Sequence, residues 1–174
     1  MILVYDGTFE GFLSLVYEVY YEKLKPIKIY KTLPNEIIFE EIKTIETSLI
    51  NSIKVLDAIK AKFPKEILEK ILNIFMCDSK EFEMVLLEYI IIGFKEIKQL
   101  FNINLESIFY LNNLEKELFK NVHKMTGFVR FEELEDGTLY AKVESKFNVL
   151  YFLGKHFLKR FNNRNFIIHD LNRK

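Results

Sequence analysis

The chain has 174 residues, 49% of them apolar and 15% aromatic, which is enough to bury a sizeable core and too apolar for a disordered segment. Its 25 Lys and Arg balance 25 Asp and Glu, which argues against a protein that coats nucleic acid unspecifically. The single cysteine, Cys77, excludes an intrachain disulfide and a Cys-based metal cage, in keeping with a reducing cytoplasm.

From the start, "MILVYDG" predicts a short strand ended by a turn, and with no basic segment before the apolar run no signal peptide is expected. "FEGFLSLVYEVYYEKL" places Phe9, Phe12, Leu13, Val16 and Val19 at helical spacing, and Pro26 stops it. "IKIYK" alternates as a second strand. Phe39, Ile42, Ile45, Leu49, Ile53, Leu56, Ile59 and Phe63 then form an apolar stripe, read as one seven-turn helix between Asn35 and Pro64. "KEILEKILNIFM" gives a second helix in this block, and Asp78 followed by Glu81 resembles a capping box opening a third. A fourth helix spans about 105–124. The apolar run "VLLEYIIIGF" carries Glu88 and is too short to cross a bilayer, so no membrane association is expected.

At Gly127 the period changes from 3.6 to 2. A hairpin over 127–144 follows, with Val129 and Phe131 on one strand and Leu139, Ala141 and Val143 on the next. A three-residue loop, Glu135-Asp136-Gly137, pairs 131 with 141 and puts Gly137 at the position that needs a positive φ. A helix from about Phe147 to Phe161 and a closing strand "NFIIHD" complete the chain. The fold expected is α+β: one domain over 1–174, with a helical scaffold of about 1–124 and a basic portion of about 125–174. Its small, largely antiparallel sheet would be built from the hairpin, the last strand and the N-terminal strand.

The charges divide unevenly. Residues 1–118 carry 14 Lys and Arg against 19 Asp and Glu, and residues 119–174 carry 11 against 6. Such a split points either to an anionic partner or to mutual attraction of the halves. All three histidines, His123, His156 and His169, lie in the basic part. In the hairpin register Arg130 faces Lys142 on the side away from the core. Like charges directly opposite destabilise a sheet unless Glu132 and Glu144 neutralise them or an anion lies between. On the next helix His156 and Arg160 share a side, and Lys155 and Lys159 form a second basic row. Asp170 pairs with Arg160 or Arg173, or joins a site in which His123, His156 and Asp170 act as acid–base groups. Arg130, Lys142, Lys155, Lys159, Arg160 and Arg173 are the candidates for binding an anion or nucleic acid. No metal motif, phosphate loop or nucleophile elbow is present, so neither metal nor cofactor is expected.

"YDGTFEGFLSLVYEVY" and "HKMTGFVRFEELEDGTLYAKVESKFNVLYFLGKHFLKRF…FIIHD" resemble a bacterial family associated with DNA metabolism and DNA repair, defined by a domain of unknown function. That domain also occurs fused to uracil-DNA-glycosylase-like domains, and stand-alone members are commonly encoded beside a radical S-adenosylmethionine protein. The family's histidine and G-F-x-R-F motif fall on His123, Gly127, Phe128, Arg130 and Phe131. Its H-F-x-x-R-F motif falls on His156, Phe157, Arg160 and Phe161, and its closing acid and arginine on Asp170 and Arg173. The chain departs from the family at Lys124, where arginine is common, at Ser145-Lys146-Phe147, where Pro-Asp-His is common, and at Phe166, where tryptophan is usual. Members also tend to continue beyond position 174. The resemblance implies a DNA-directed accessory protein that works with a radical S-adenosylmethionine partner, and zero net charge with only a local basic excess implies that it binds DNA weakly alone. The alternatives are a nucleotide- or nucleic-acid-processing enzyme and a protein-interaction module. Four or more of His123, Arg130, His156, Arg160, Asp170 and Arg173 are expected to share one site.

Overall fold

The structure, a computed structural model, describes residues 1–35, 37–78 and 80–173. The fold is α+β, and the chain forms two compact units, Met1–Phe75 with Glu81–Leu111 and Met76–Lys80 with Asn112–Lys174.

The first unit is built on a three-stranded parallel sheet in the order β2-β1-β3, from β1 (Ile2–Val4), β2 (Lys28–Tyr30) and β3 (Ile42–Thr44). Helix α1 (Phe9–Tyr21) makes the crossover from β1 to β2, the kind of connection a parallel pair requires. It starts at Thr8, whose hydroxyl accepts from Gly11 N at 2.9 Å. Helices α2 (Leu49–Lys62), α3 (Lys65–Phe75) and α4 (Glu83–Lys95), a 3₁₀ turn (Ile97–Phe101) and the start of α5 (Glu106–Phe128) complete the unit. Leu3, Phe12, Leu15, Ile59, Ile71, Ile74 and Leu86 are among its fully buried core residues. A buried carboxylate sits among them: Glu83 accepts from Tyr5 Oη at 3.2 Å and pairs with Lys31 at 3.1 Å. Burial first, and then Glu83, drive the Tyr5 phenol upward.

The expected seven-turn helix does not form. Residues 42–44 are strand β3, paired in register with Ile2–Val4, and the helix begins only at Leu49, behind a Ser48 cap whose hydroxyl accepts from Asn51 N. The stripe through Ile42 and Ile45 fits a helix by spacing alone. Pairing on the open edge of β1 overrides it, and Ile45 extends the pairing by donating to Val4 O at 2.8 Å. Nor does Asp78 open the third helix: α4 starts behind Phe82, which has no side-chain cap, and Asp78 binds Arg173.

Gly11 allows the closest approach in this unit. A Cβ there would overlap Asp6 Oδ1 and lie 2.9 Å from Thr47 Oγ1. The Asp6 carboxylate accepts from Thr8 N, Thr8 Oγ1 and Thr47 Oγ1, tying the start of α1 to the approach to α2. Burial pulls its pKa up, but the hydrogen bonds from Thr47 and Thr8 outweigh this and hold the carboxyl below its usual range. Gly11→Ala is therefore expected to lower stability by about 1–3 kcal/mol in urea denaturation. A change of less than 0.5 kcal/mol, within the ~0.5 kcal/mol of an ordinary surface substitution, would count against this close approach.

The second unit holds the end of α5, the sheet β4-β5-β6 and helix α6 (Leu150–Phe161). β4 (Glu132–Glu133) pairs antiparallel with β5 (Leu139–Val143), which pairs parallel with β6 (Phe166–Asp170). The sheets are thus not largely antiparallel. One is wholly parallel, and the N-terminal strand belongs to that one. Helix α6 between β5 and β6 acts as a crossover, which sets the last strand parallel to its neighbour.

The hairpin has the expected register. Glu132 pairs with Tyr140 and Glu133 with Leu139, and Leu134 N donates to Thr138 O across a three-residue loop with Gly137 at φ +80. Its first arm is shorter than expected, because α5 runs on to Phe128 and carries Gly127 within it. Arg130 Nη1 donates to the Gly127 and Val129 carbonyls at 3.0 and 3.2 Å, which satisfies the helix end and ends it there. Cys77 is fully buried in this unit, and burial pushes its thiol up to about 12. Among the described residues, no helix is long and apolar enough to cross a membrane.

Candidate functional site

Strand β5 alternates strictly: Leu139, Ala141 and Val143 are buried, while Tyr140 and Lys142 face outward. Phe131 packs on the buried side, its ring 4.8 Å from Phe157 and 4.9 Å from Phe161 of α6. Helix α6 therefore covers one face of the sheet, and Tyr140 and Lys142 lie on the other.

The outward face gathers basic side chains from three chain segments. The parallel register sets His169 beside Lys142. Continuing the hairpin register past Glu132 puts Arg130 on the other side of Lys142, and Arg130, Glu132, Tyr140 and Lys142 line one open groove of about 170 Å³. His169 Nδ1 lies 2.9 Å from Tyr140 Oη. When the hydroxyl donates, the ring proton sits on Nε2 and leaves that nitrogen free to donate. Lys142 Nζ lies 5.9 Å from the Tyr140 ring centroid.

The expected neutralisation by Glu132 and Glu144 is not seen: among the described residues, Arg130 and Lys142 form no ion pair with either. Glu133, exposed and opposite Leu139 in the register, pairs instead with Arg164 at 2.8 Å. The row thus keeps its positive charge, and an anion could meet the Lys142 ammonium, the rest of the Arg130 guanidinium and the His169 ring together.

Asp170 and Arg173 stand apart from this row. Asp170 is 2% exposed, and its carboxylate accepts from Arg173 Nη1 at 2.8 Å and from Asn172 N at 3.0 Å. Arg173 also grips Asp78 with Nε and Nη2, both at 2.7 Å, and donates to the Ser145 and Lys146 carbonyls. The Asp78 bonds raise the guanidinium pKa against burial, with help from Asp170. Of the two partners open to Asp170 in the sequence, the fold selects Arg173.

His156, Arg160, Lys155 and Lys159 are exposed on α6, the helix behind the sheet, and His123 is exposed on α5. The structure thus brings Arg130 to Lys142 and Asp170 to Arg173. Among the described residues, no hydrogen bond or ion pair joins these pairs to each other, to His123, or to His156 and Arg160. Tyr140, absent from the sequence candidates, lines the groove with Arg130 and Lys142. Its alternation with Lys142 in the hairpin register was the available signal. His169 needed the parallel pairing of β6, which no local pattern announces. Among the described residues, no three His, Cys, Asp or Glu side chains stand close enough to hold a metal ion.

Comparison with known proteins yields no match among curated proteins and none among solved structures. A family profile does match, over residues 80–174, which takes in the whole outward face and the Asp170–Arg173–Asp78 network apart from Asp78 itself. The chain belongs to the family defined by DUF4130, a domain of unknown function.

Proposed function

We propose that the protein is a DNA-directed accessory factor that contacts the phosphate backbone through the outward face of the β4-β5-β6 sheet. One observation carries the reading. Arg130, Lys142 and His169 stand side by side on an open face, and neither Arg130 nor Lys142 has a carboxylate partner among the described residues. Cations left unpaired on a groove wall are what backbone binding requires, because each phosphate they neutralise releases counterions. Zero net charge limits the strength of such binding, so the isolated protein is a weak, salt-sensitive binder that gains affinity or function from a partner. The family resemblance supplies that partner's class, a radical S-adenosylmethionine protein acting in DNA repair or modification.

The enzyme reading has less support, since Asp170 already has its carboxylate engaged by Arg173 and Asn172. The test is co-purification with the neighbouring radical protein, then fluorescence anisotropy of labelled DNA with each protein alone and together. Expected are a dissociation constant in the micromolar range or weaker for this chain alone at physiological salt, and tighter binding by the pair. Tight, salt-insensitive binding by the chain alone would overturn the accessory role.

A further inference from the structure

Glu132 is the odd member of the groove. A site for phosphate alone gains nothing from a carboxylate, which repels the ligand, yet Glu132 lines the same groove as Arg130 and Lys142 and pairs with neither among the described residues. An unpaired carboxylate beside two cations and an aromatic ring fits a ligand that carries both an anion and an N–H donor. A nucleotide whose base bears an amino group is such a ligand.

Resting on the backbone-binding reading above, we propose that this groove seats one unstacked nucleotide and selects its base. The phosphate lies against Arg130, Lys142 and His169. The base lies on the Tyr140 ring, which the His169 contact at 2.9 Å helps to hold. Glu132 accepts from the exocyclic amino group. The 5.9 Å between Lys142 Nζ and the Tyr140 ring centre keeps the charge for the phosphate and the ring for the base within reach of a single nucleotide. Concavity decides between paired and unpaired DNA. Base edges in a duplex are recessed within its grooves, so an indented protein surface does not reach them, whereas an unpaired base projects into the indentation. The carboxylate decides between bases. Cytosine presents N4–H₂ beside its acceptors, while thymine presents one N3–H between two carbonyls whose lone pairs face Glu132.

The test uses full-length protein and labelled oligodeoxycytidylate and oligothymidylate of equal length, at neutral pH and fixed salt, with a duplex alongside. Wild type is expected to bind the cytidine strand about tenfold more tightly than the thymidine strand. Glu132→Gln, whose amide both donates and accepts, brings the two strands to within about twofold. Tyr140→Ala weakens both strands about tenfold, and thermal melts of each variant establish that it is folded. Equal binding of the two strands by wild type, or a preference that survives Glu132→Gln, overturns the base seat. If in that case Lys142→Glu still abolishes binding, the backbone reading stands without it. Absence of salt-dependent binding to any of the three DNAs overturns both.

Discussion

Arg173→Ala is expected to lower folding stability by about 3–5 kcal/mol, the largest effect of any single substitution considered for this chain. The reason lies in what remains behind. Asp170 keeps a carboxylate that is 2% exposed, with the Asn172 backbone N–H as its one remaining donor among the described residues, so a buried charge stands nearly alone. The same guanidinium holds Asp78 at 2.7 Å through two nitrogens and the carbonyls of Ser145 and Lys146, so three segments of the second unit lose a common tie. Arg173→Lys recovers only part of the loss, because an ammonium cannot reproduce the two parallel bonds of the fork. Asp78→Asn costs less, since that side chain is 36% exposed and the Asp170 contact survives. Urea denaturation followed by circular dichroism measures all three. A loss below about 1 kcal/mol for Arg173→Ala would mean that the network adds no more than a surface ion pair. Should that variant not fold, the graded losses of Arg173→Lys and Asp78→Asn carry the same test.

The second large effect falls on binding. Arg130→Ala with Lys142→Ala removes two neighbouring charge-assisted donors from the outward face, each worth about 1.5–3 kcal/mol when it meets a phosphate. The double variant should bind DNA about 100-fold or more weakly than wild type, which for a weak binder means loss of a measurable signal at physiological salt. Low-salt titrations keep the effect measurable. There the slope of log affinity against log salt should become shallower by about 1 for each cation removed. The slope separates the reading from a folding defect, because a partly unfolded preparation lowers amplitude and leaves the slope of the folded fraction unchanged. Lys155→Ala with Lys159→Ala, on the helix behind the sheet, provides the comparison. If that pair lowers the slope and the Arg130–Lys142 pair does not, the interface lies on α6 and the outward face is not the site. Arg130 also donates to the end of α5, so Lys142→Ala alone is the cleaner measure of the face.

The chain's local chemistry determined a good part of this outcome by itself. The hairpin register followed from one requirement, that Phe131, Leu139, Ala141 and Val143 share a buried side. The three-residue loop followed from the need for Gly137 at positive φ, and both are present. From that register alone, Arg130 and Lys142 could be set opposite each other on the solvent side. Helices whose apolar stripes lie next to a proline, α1 and α3 among them, were equally legible, since burial of one face is a property of spacing.

What the tertiary structure decided were the matters that depend on a partner distant in sequence. Residues 42–44 satisfy helical spacing and strand composition alike, and the open edge of β1, some 40 residues earlier, selects the strand. The direction of β6 is not written in "FIIHD". It follows from α6 crossing back over the sheet, and that direction sets His169 beside Lys142. The period changes at Gly127, yet α5 passes through it and ends at Phe128, where the Arg130 side chain folds back onto the Gly127 and Val129 carbonyls. Asp170 had two arginines within plausible reach in the sequence. Burial of its carboxylate, together with Asp78 arriving from 92 positions upstream, gave it to Arg173 and left Arg160 exposed on α6. Periodicity fixes which side of an element is apolar, but the residues on the polar side meet only when two elements pack. For that reason the groove around Tyr140 came into view only with the fold.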